Sequence, residues 1–403
     1  MNILFFTENS PYAPNRVGGA ENSMRLMAEG LARRGHHVTF ASLRPDVLPW
    51  PKRFRANGVE VLLCPGPRRS PLQRALGRIG RASSGPARAL RAASWRRVGR
   101  TLFGAARFDL VYAFYEIAFL AQALAARDGG RQPGLRVVLR MAGLGWREAA
   151  QRGGGASLAE IAALFNAVDA VNYLSDSSQA LVEKTAADLG MALVPRSSFV
   201  ADIGVDVAAT PKVWGGPRPG PGLEIVVATR FSAYQKRQDI LVAALGLLRG
   251  RLAVRATMIG AGVTRDAIIA QRDALGLTDA IEIVPFMAQD RLWETMGRAD
   301  LLCHPCDHEG VSKIILEAMM LGLPVLASDV APLPDYVIEG ETGYRVANTP
   351  EAWAERLIAI AGDKAALPAL SDRARRFVET RYAVDRNLGL YEARFRDMIA
   401  EPP

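Results

Sequence analysis

Short apolar runs alternate along this chain with longer stretches in which apolar positions recur every three or four residues. Ile3–Thr7, Val38–Leu43, Val59–Leu63, Leu110–Tyr112, Val137–Met141 and Ala170–Leu174 read as strands, with helices such as Ala20–Arg34 and Ser177–Leu189 between most of them. A Pro/Gly-rich stretch from Thr210 to Gly222 interrupts the pattern and reads as a linker. The alternation then restarts with Leu223–Ala228, Val254–Ile259, Ile281–Val284, Leu301–His304 and Val325–Ala327. The last stretch, Ala383–Ala400, is helical, with Leu388, Tyr391 and Phe395 at spacings of three and four. Strands alternating with helices predict an α/β protein of two doubly wound, parallel-sheet domains. Ligands of such sheets gather at the carboxyl ends of the strands, here in an expected cleft between the domains.

Composition narrows the class without changing the architecture. The chain has 403 residues, of which 49% are hydrophobic, enough for two or three domains with cores of their own. Nothing approaches about 18 uninterrupted apolar residues, and the run Phe114–Ala126 contains Glu116 and Gln122, so no membrane-crossing helix is expected. The start, Met1 to Thr7, reads as a first strand and not as a signal peptide. Three cysteines, Cys64, Cys303 and Cys306, make no disulfide framework and suit a reducing cytoplasm.

The net charge of +9 is concentrated. Between Pro65 and Phe108 lie eleven arginines and no Asp or Glu; with these set aside the balance becomes −2. Within this 65–108 stretch a surface helix is expected over Pro86–Phe103. Its Leu90, Ser94, Val98 and Leu102 fall at spacing four, with Trp95 and Phe103 alongside and Arg88, Arg91, Arg96, Arg97 and Arg100 around them. Such a helix suits an anionic membrane surface or an anionic acceptor; a solvated basic segment is the plainer reading. No aromatic pattern for base stacking accompanies the charge, so nucleic acid is not an expected partner.

The densest chemistry lies in residues 305–317, PCDHEGVSKIILE. Glu309 falls in the loop after the strand Leu301–His304. Glu317 falls on the helix expected to follow, about 12 Å further on if the whole interval is helical. Two acceptors so spaced can grip the ends of one extended, hydroxyl-rich ligand. The amides of Gly310, Val311, Ser312 and Lys313, at a helix N-terminus, suit a phosphate. After the strand Leu223–Ala228 come Arg230 and Lys236, cations able to converge on one diphosphate, with Arg237 as the rival to Lys236. In the first domain Gly18-Gly19 precedes a helix and permits close approach of an anion. A nucleotide sugar has the matching layout. Cys303, His304, Cys306 and His308 form C-H-x-C-x-H on one strand end, with no second pair to close a tetrahedral site, so no metal is expected. His36 and His37 read as structural, at a helix-to-strand junction.

The run His304–Ser328, HPCDHEGVSKIILEAMMLGLPVLAS, resembles the donor-binding segment of retaining glycosyltransferases of family 4 (glycosyl transferases group 1), which have the GT-B fold. The likeness includes Glu309, Glu317-Ala318 and Gly322-Leu323-Pro324-Val325. Arg230 and Lys236 match the family's diphosphate-binding pair, and Gly18-Gly19 its glycine loop. Ile203-Gly204-Val205-Asp206 resembles an Asn-Gly-Val-Asp element, with Ile in place of Asn. The likeness implies an N-terminal acceptor-side domain over 1–207, a donor-binding domain over 208–382, and a helix over 383–403 that crosses back to the first domain. It further implies that Glu309 holds the donor sugar, Glu317 the ribose, and Arg230 and Lys236 the diphosphate. No cofactor is implied, and the chain has no Asp-x-Asp, the metal-holding signature of the other main glycosyltransferase fold.

One departure stands out. Many members carry a histidine at the end of the strand matching Val137–Met141; here the chain reads Arg140-Met141-Ala142-Gly143. Arg140 or a residue of the Glu8–Arg16 loop could stand in. Retaining transfer on this fold needs no protein nucleophile, because leaving-group stabilisation and orientation can carry it. The expected activity is transfer of a sugar from a nucleotide sugar to a hydroxyl of a glycan or lipid-linked acceptor at the inner membrane face. The alternatives are a nucleotide-sugar epimerase or phosphorylase on the same fold, and an inactive basic protein that binds membrane or anionic polymer.

Overall fold

The structure, a computed structural model, describes residues 1–13, 18–44, 50–65, 85–104, 106–147, 157–232 and 235–401, and for 85–91 the backbone alone. The chain forms two compact units. Unit 1 is Met1–Ile203 with Val384–Pro403, and unit 2 is Gly204–Ala383.

Unit 1 holds strands β1 (Asn2–Thr7), β2 (His37–Leu43), β3 (Lys52–Ala56), β4 (Val59–Cys64), β5 (Leu110–Phe114), β6 (Arg136–Met141), β7 (Ala170–Tyr173) and β8 (Ser198–Val200). They line up as β3-β4-β2-β1-β5-β6-β7-β8, parallel throughout except for β3 against β4. The exception is a hairpin closed by Asn57-Gly58, both at positive φ (50° and 82°). That is the two-residue turn whose twist matches its strands. Its helices are α1 (Gly19–Arg33), α2 (Gly85–Phe103), α3 (Ile117–Asp128), α4 (Leu158–Ala167) and α5 (Asp176–Asp188).

Because side chains alternate along a strand, β1 feeds two cores. Leu4 and Phe6 enter one, with Trp95, Val98, Leu102 and Phe103 of α2 and Phe119 of α3. Ile3 and Phe5 enter the other, with Met24 and Met27 of α1 and with Leu388, Tyr391 and Phe395 of the terminal helix Val384–Ala400. That helix is held further by Tyr391 Oη donating to the Ala201 carbonyl (2.6 Å) and by Glu392 accepting from Arg34 (2.8 Å). His36 Nε2 lies 3.0 Å from the same carboxylate, so it ties the α1–β2 junction to the terminal helix.

Unit 2 holds β9 (Leu223–Ala228), β10 (Val254–Ile259), β11 (Ile281–Val284), β12 (Leu301–His304), β13 (Val325–Ser328) and β14 (Tyr344–Val346), in the parallel order β11-β10-β9-β12-β13-β14. Helices α6 (Gln238–Leu247), α7 (Arg265–Ala274), α8 (Gln289–Gly297), α9 (Lys313–Leu321), α10 (Pro350–Gly362) and α11 (Leu367–Arg381) cover it. The strand order reverses between β9 and β12, which pair at Ile225↔Leu301 and Val226↔Leu302. The loops leaving these two strands therefore emerge side by side, the position at which such sheets bind ligands.

The Pro/Gly-rich stretch expected as a linker instead lies along unit 2. Val213 and Trp214 donate to the Leu321 carbonyl (3.0 Å each), and the Trp214 indole to that of Ala299 (2.9 Å). The unit boundary falls earlier, at Gly204 (φ +76°), where an added Cβ would meet the Tyr382 carbonyl oxygen at 1.9 Å. No described helix is long and apolar enough to cross a membrane.

The basic helix corrects one expectation. Trp95 is 7% exposed, with its ring 6.0 Å from that of Phe6, and Val98, Leu102 and Phe103 are buried beside it. Among the described residues, the apolar stripe of α2 is taken up by the core and is not offered to a membrane. Arg96, Arg97 and Arg100 point outward, while the Arg88 and Arg91 side chains lie outside the described residues.

Candidate functional site

Two loops make the site. The segment Gln235–Arg237, after β9, is stitched to Pro305–Asp307, after β12, through the backbone. Lys236 pairs with Cys306 as an antiparallel bridge, Arg237 N–H donates to the Pro305 carbonyl (3.1 Å), and Asp307 N–H to that of Gln235 (2.9 Å). This stitching sets Lys236 beside Glu309.

The Glu309 carboxylate is crowded by polar groups at both oxygens. Oε1 accepts from Gln235 Nε2 (3.1 Å) and from the Gly310 amide (3.1 Å). Oε2 is in direct contact with the Lys236 ammonium and lies 2.9 Å from His304 Nε2. A carboxylate offers about four lone-pair sites, and four polar groups crowd them. Burial would raise the Glu309 pKa, but Lys236 and His304 outweigh it and hold the carboxyl well below the usual range. Glu309 is therefore an ionised acceptor and not a proton donor.

His304 is 1% exposed, and its Nε2 also lies 3.0 Å from Lys236 Nζ. Burial first, and the Lys236 charge second, push its pKa down to about 4, so the ring is neutral at pH 7. Its Nδ1 has no partner among the described residues. His304, Cys306 and Glu309 bring three ligand-type atoms within 4.8 Å of one another. The Lys236 ammonium already supplies the positive charge there, and burial pushes the Cys306 thiol up to about 12, away from the thiolate a metal would need.

Lys236 and Arg237 have separate tasks. Lys236 is buried on Glu309, whereas Arg237 is engaged by Asp239 (2.9 Å) and Asp307 (3.0 Å) on a partly exposed surface. Arg230, past the end of β9, is exposed and makes no side-chain ion pair among the described residues. Its carbonyl accepts from Gln238 Nε2 (2.9 Å).

The structure revises the picture of an open helix N-terminus. Helix α9 begins at Lys313, so Glu317 sits one turn into it, and residues 309–312 do not contribute helical rise. The Gly310 amide is turned to Glu309, and the Ser312 amide donates to the Tyr336 hydroxyl (2.9 Å). Val311 is buried at 8%, and Lys313 Nζ donates to the Gly204 carbonyl (2.7 Å). Glu317 is partly buried; burial raises its pKa, offset in part by the Trp293 indole and the Lys313 charge.

In unit 1 the Gly18 amide is taken by Glu21 Oε2 (3.0 Å), so a carboxylate of the chain itself caps α1; Gly19 opens the helix, and 14–17 lie outside the described residues. Arg140 is no surface group. It is 2% exposed, donates to Ser23 Oγ (2.9 Å), lies 3.7 Å from Asp202 and stacks over Phe114 at 5.4 Å. At the end of β5, burial raises the Glu116 carboxyl well above its ordinary value while its Oε1 accepts from the Glu8 amide (2.5 Å). Gln235, His304, Tyr336 and Glu116 were not singled out as site residues by motif. His304 carried a signal only as a doubtful metal ligand.

Residues 216–378 match the family described as glycosyl transferases group 1, and residues 18–196 match the glycosyl transferase 4-like domain. D-inositol 3-phosphate glycosyltransferase of Nocardia farcinica is 35% identical over 164 residues, which cover 38% of this chain and 36% of that protein. The chain thus spans about a third of the length of the curated relatives it matches. Sucrose-phosphate synthase from Thermosynechococcus elongatus superimposes with a TM-score of 0.75 at 18% identity, covering 99% of both chains. Anabaena HepE, in complex with UDP and glucose, does so at 0.69 and 18%, covering 98% of this chain and 100% of that one. At such identities the likeness establishes the fold, which is the GT-B fold of two parallel-sheet domains. Taken with the two family matches, it places this chain among the group 1 glycosyltransferases.

Proposed function

We propose that the protein transfers a sugar, with retention and without a metal, from a nucleotide sugar to a hydroxyl of a glycan or lipid-linked acceptor. The observation that carries this reading is the buried Lys236–Glu309 pair at the strand-order reversal of unit 2. It sets a phosphate-binding cation against a fully ionised hydroxyl acceptor. In this reading Glu309 accepts from hydroxyls of the transferred sugar and Glu317 from those of the ribose. Lys236 and Arg230 take the diphosphate, together with the backbone amides of Val311 and Lys313. As the glycosidic bond breaks, charge builds on the leaving diphosphate, and cations already placed there lower the barrier. The acceptor hydroxyl then attacks the face the leaving group vacates, passing its proton to the departing phosphate oxygen.

UDP-sugars are the first donors to try, since the structural neighbour HepE holds UDP with glucose. Inositol phosphates are the first acceptors, from the named activity of the Nocardia relative. The outward arginines Arg96, Arg97 and Arg100 support work at an anionic membrane surface, in cell-surface polysaccharide or glycolipid synthesis.

The test is a calorimetric and thermal-shift panel of UDP, GDP, ADP, TDP and CMP on the wild type and Glu317→Ala. One nucleotide should bind selectively, and the substitution should weaken it about ten-fold or more, the worth of a lost charged hydrogen bond. Binding of none of them would sink the reading.

A further inference from the structure

The crowding of Glu309 has a mechanical consequence, which rests on the transferase reading above. A carboxylate crowded by polar neighbours at both oxygens has no open side for sugar hydroxyls until one neighbour leaves. Of its four partners, the Gly310 amide is fixed by the backbone and Gln235 is neutral. Lys236 is the partner for which a diphosphate competes, and its long side chain can turn without disturbing the backbone bridge to Cys306. Once Lys236 turns to phosphate, Glu309 loses its counter-charge on Oε2, and among the described residues the neighbour left at that oxygen is His304 Nε2 at 2.9 Å.

The imidazole is suited to that place. Nε2 carries one proton or one lone pair, so it cannot serve as acceptor for Lys236 and donor to Glu309 together. The present geometry, with Lys236 Nζ at 3.0 Å and Glu309 Oε2 at 2.9 Å, presents both partners to one atom. Removing Lys236 ends the competition and leaves Nε2–H donating to Oε2. We propose that His304 is a positioning residue for Glu309: it keeps the carboxylate oriented when the diphosphate draws Lys236 away, so that the vacated lone pair faces the donor sugar. Sugar recognition is thereby conditional on diphosphate binding. The ring itself touches neither the sugar nor the phosphate.

The experiment compares UDP and UDP-glucose on the full-length wild type, His304→Leu and His304→Gln. Affinities come from calorimetry, turnover from UDP release out of UDP-glucose, and folding from the thermal midpoint. Gln places an amide N–H near the position of Nε2; Leu fills the space without a donor. His304→Leu should keep UDP affinity within about three-fold while losing about ten-fold or more on UDP-glucose affinity and turnover. His304→Gln should recover most of that loss. Wild-type turnover and sugar preference in His304→Leu would overturn the proposal. So would equal losses on UDP and UDP-glucose in both variants, tracking a fall in midpoint, since that is the pattern of a purely structural residue. If His304→Leu does not fold, His304→Gln decides alone: retained sugar preference supports the proposal and its loss overturns it. A wild type that binds neither UDP nor UDP-glucose, nor any nucleotide of the wider panel, overturns the transferase reading itself, before any variant is made.

Discussion

His304 shows how burial turns an ordinary titratable residue into a sensor of its surroundings. In the unfolded chain an imidazole takes up a proton near pH 6.5. In the native protein desolvation and Lys236 delay that step to about pH 4. Between those values the unfolded state binds the extra proton, so stability falls as pH is lowered from about 6.5 towards 4, by on the order of a few kcal/mol. Urea unfolding at pH 7 and pH 5 should therefore show a larger loss for the wild type than for His304→Gln, which has nothing to titrate there. Equal losses would mean that the imidazole is protonated in the native site. Glu309 acts in the opposite range: its depressed pKa adds stability above the usual carboxylate range and surrenders it only as pH falls further, so the two effects separate along the pH axis.

At the scale of one element, α2 shows why sequence patterns mislead on faces. Arginines surround a stripe of apolar residues, which is the pattern of a membrane-surface helix, yet an identical stripe serves a helix that packs on its own sheet. Trp95→Ala should cost about 3 kcal/mol in urea unfolding, as for a large side chain removed from a core. Arg96→Ser and Arg100→Ser should stay within about 0.5 kcal/mol of the wild type. A neutral Trp95→Ala would return the helix to the surface. The strands were legible because runs such as Leu223–Ala228 and Val254–Ile259 keep their length and register in the sheet. The hairpin at Asn57-Gly58 carried a readable turn signal, but β3, reading Lys-Arg-Phe-Arg-Ala, has Phe54 as its one large apolar residue to accompany it. The site was legible in part. The motif brought Glu309 and Lys236 to notice, whereas the Gln235 and His304 contacts depend on neighbouring strands at the sheet's reversal. The filled amide of Ser312 was hidden for the same reason, since Tyr336 reaches it only in the folded chain, whereas Glu21, three residues after Gly18, is a local cap.

The chain as a whole is asymmetric in how its two units are encoded, and this gives a sharp test. Unit 2 is one continuous segment, with its own sheet and every contact described around Glu309. Unit 1 is completed only by the last stretch of chain: Leu388, Tyr391 and Phe395 are fully buried in it. Leu388 packs so closely on α1 that a Cβ at Gly30 would come within 2.2 Å of it, and Asn387 Nδ2 donates to the Asp202 carbonyl (2.7 Å). Removing those residues strips three large side chains from one core and leaves buried carbonyls without donors, a loss comparable with the whole stability of a domain. A fragment of residues 204–383 should therefore unfold cooperatively on heating and bind whichever nucleotide the intact protein prefers. Residues 1–203 alone should show no cooperative transition, and joining 384–403 to them through a flexible linker should restore it. The decisive measurement is calorimetric unfolding of the three fragments. A cooperative transition in 1–203 alone would mean that the terminal helix is an ornament on a finished core, and its absence in 204–383 would mean that the donor site depends on the unit encoded around it.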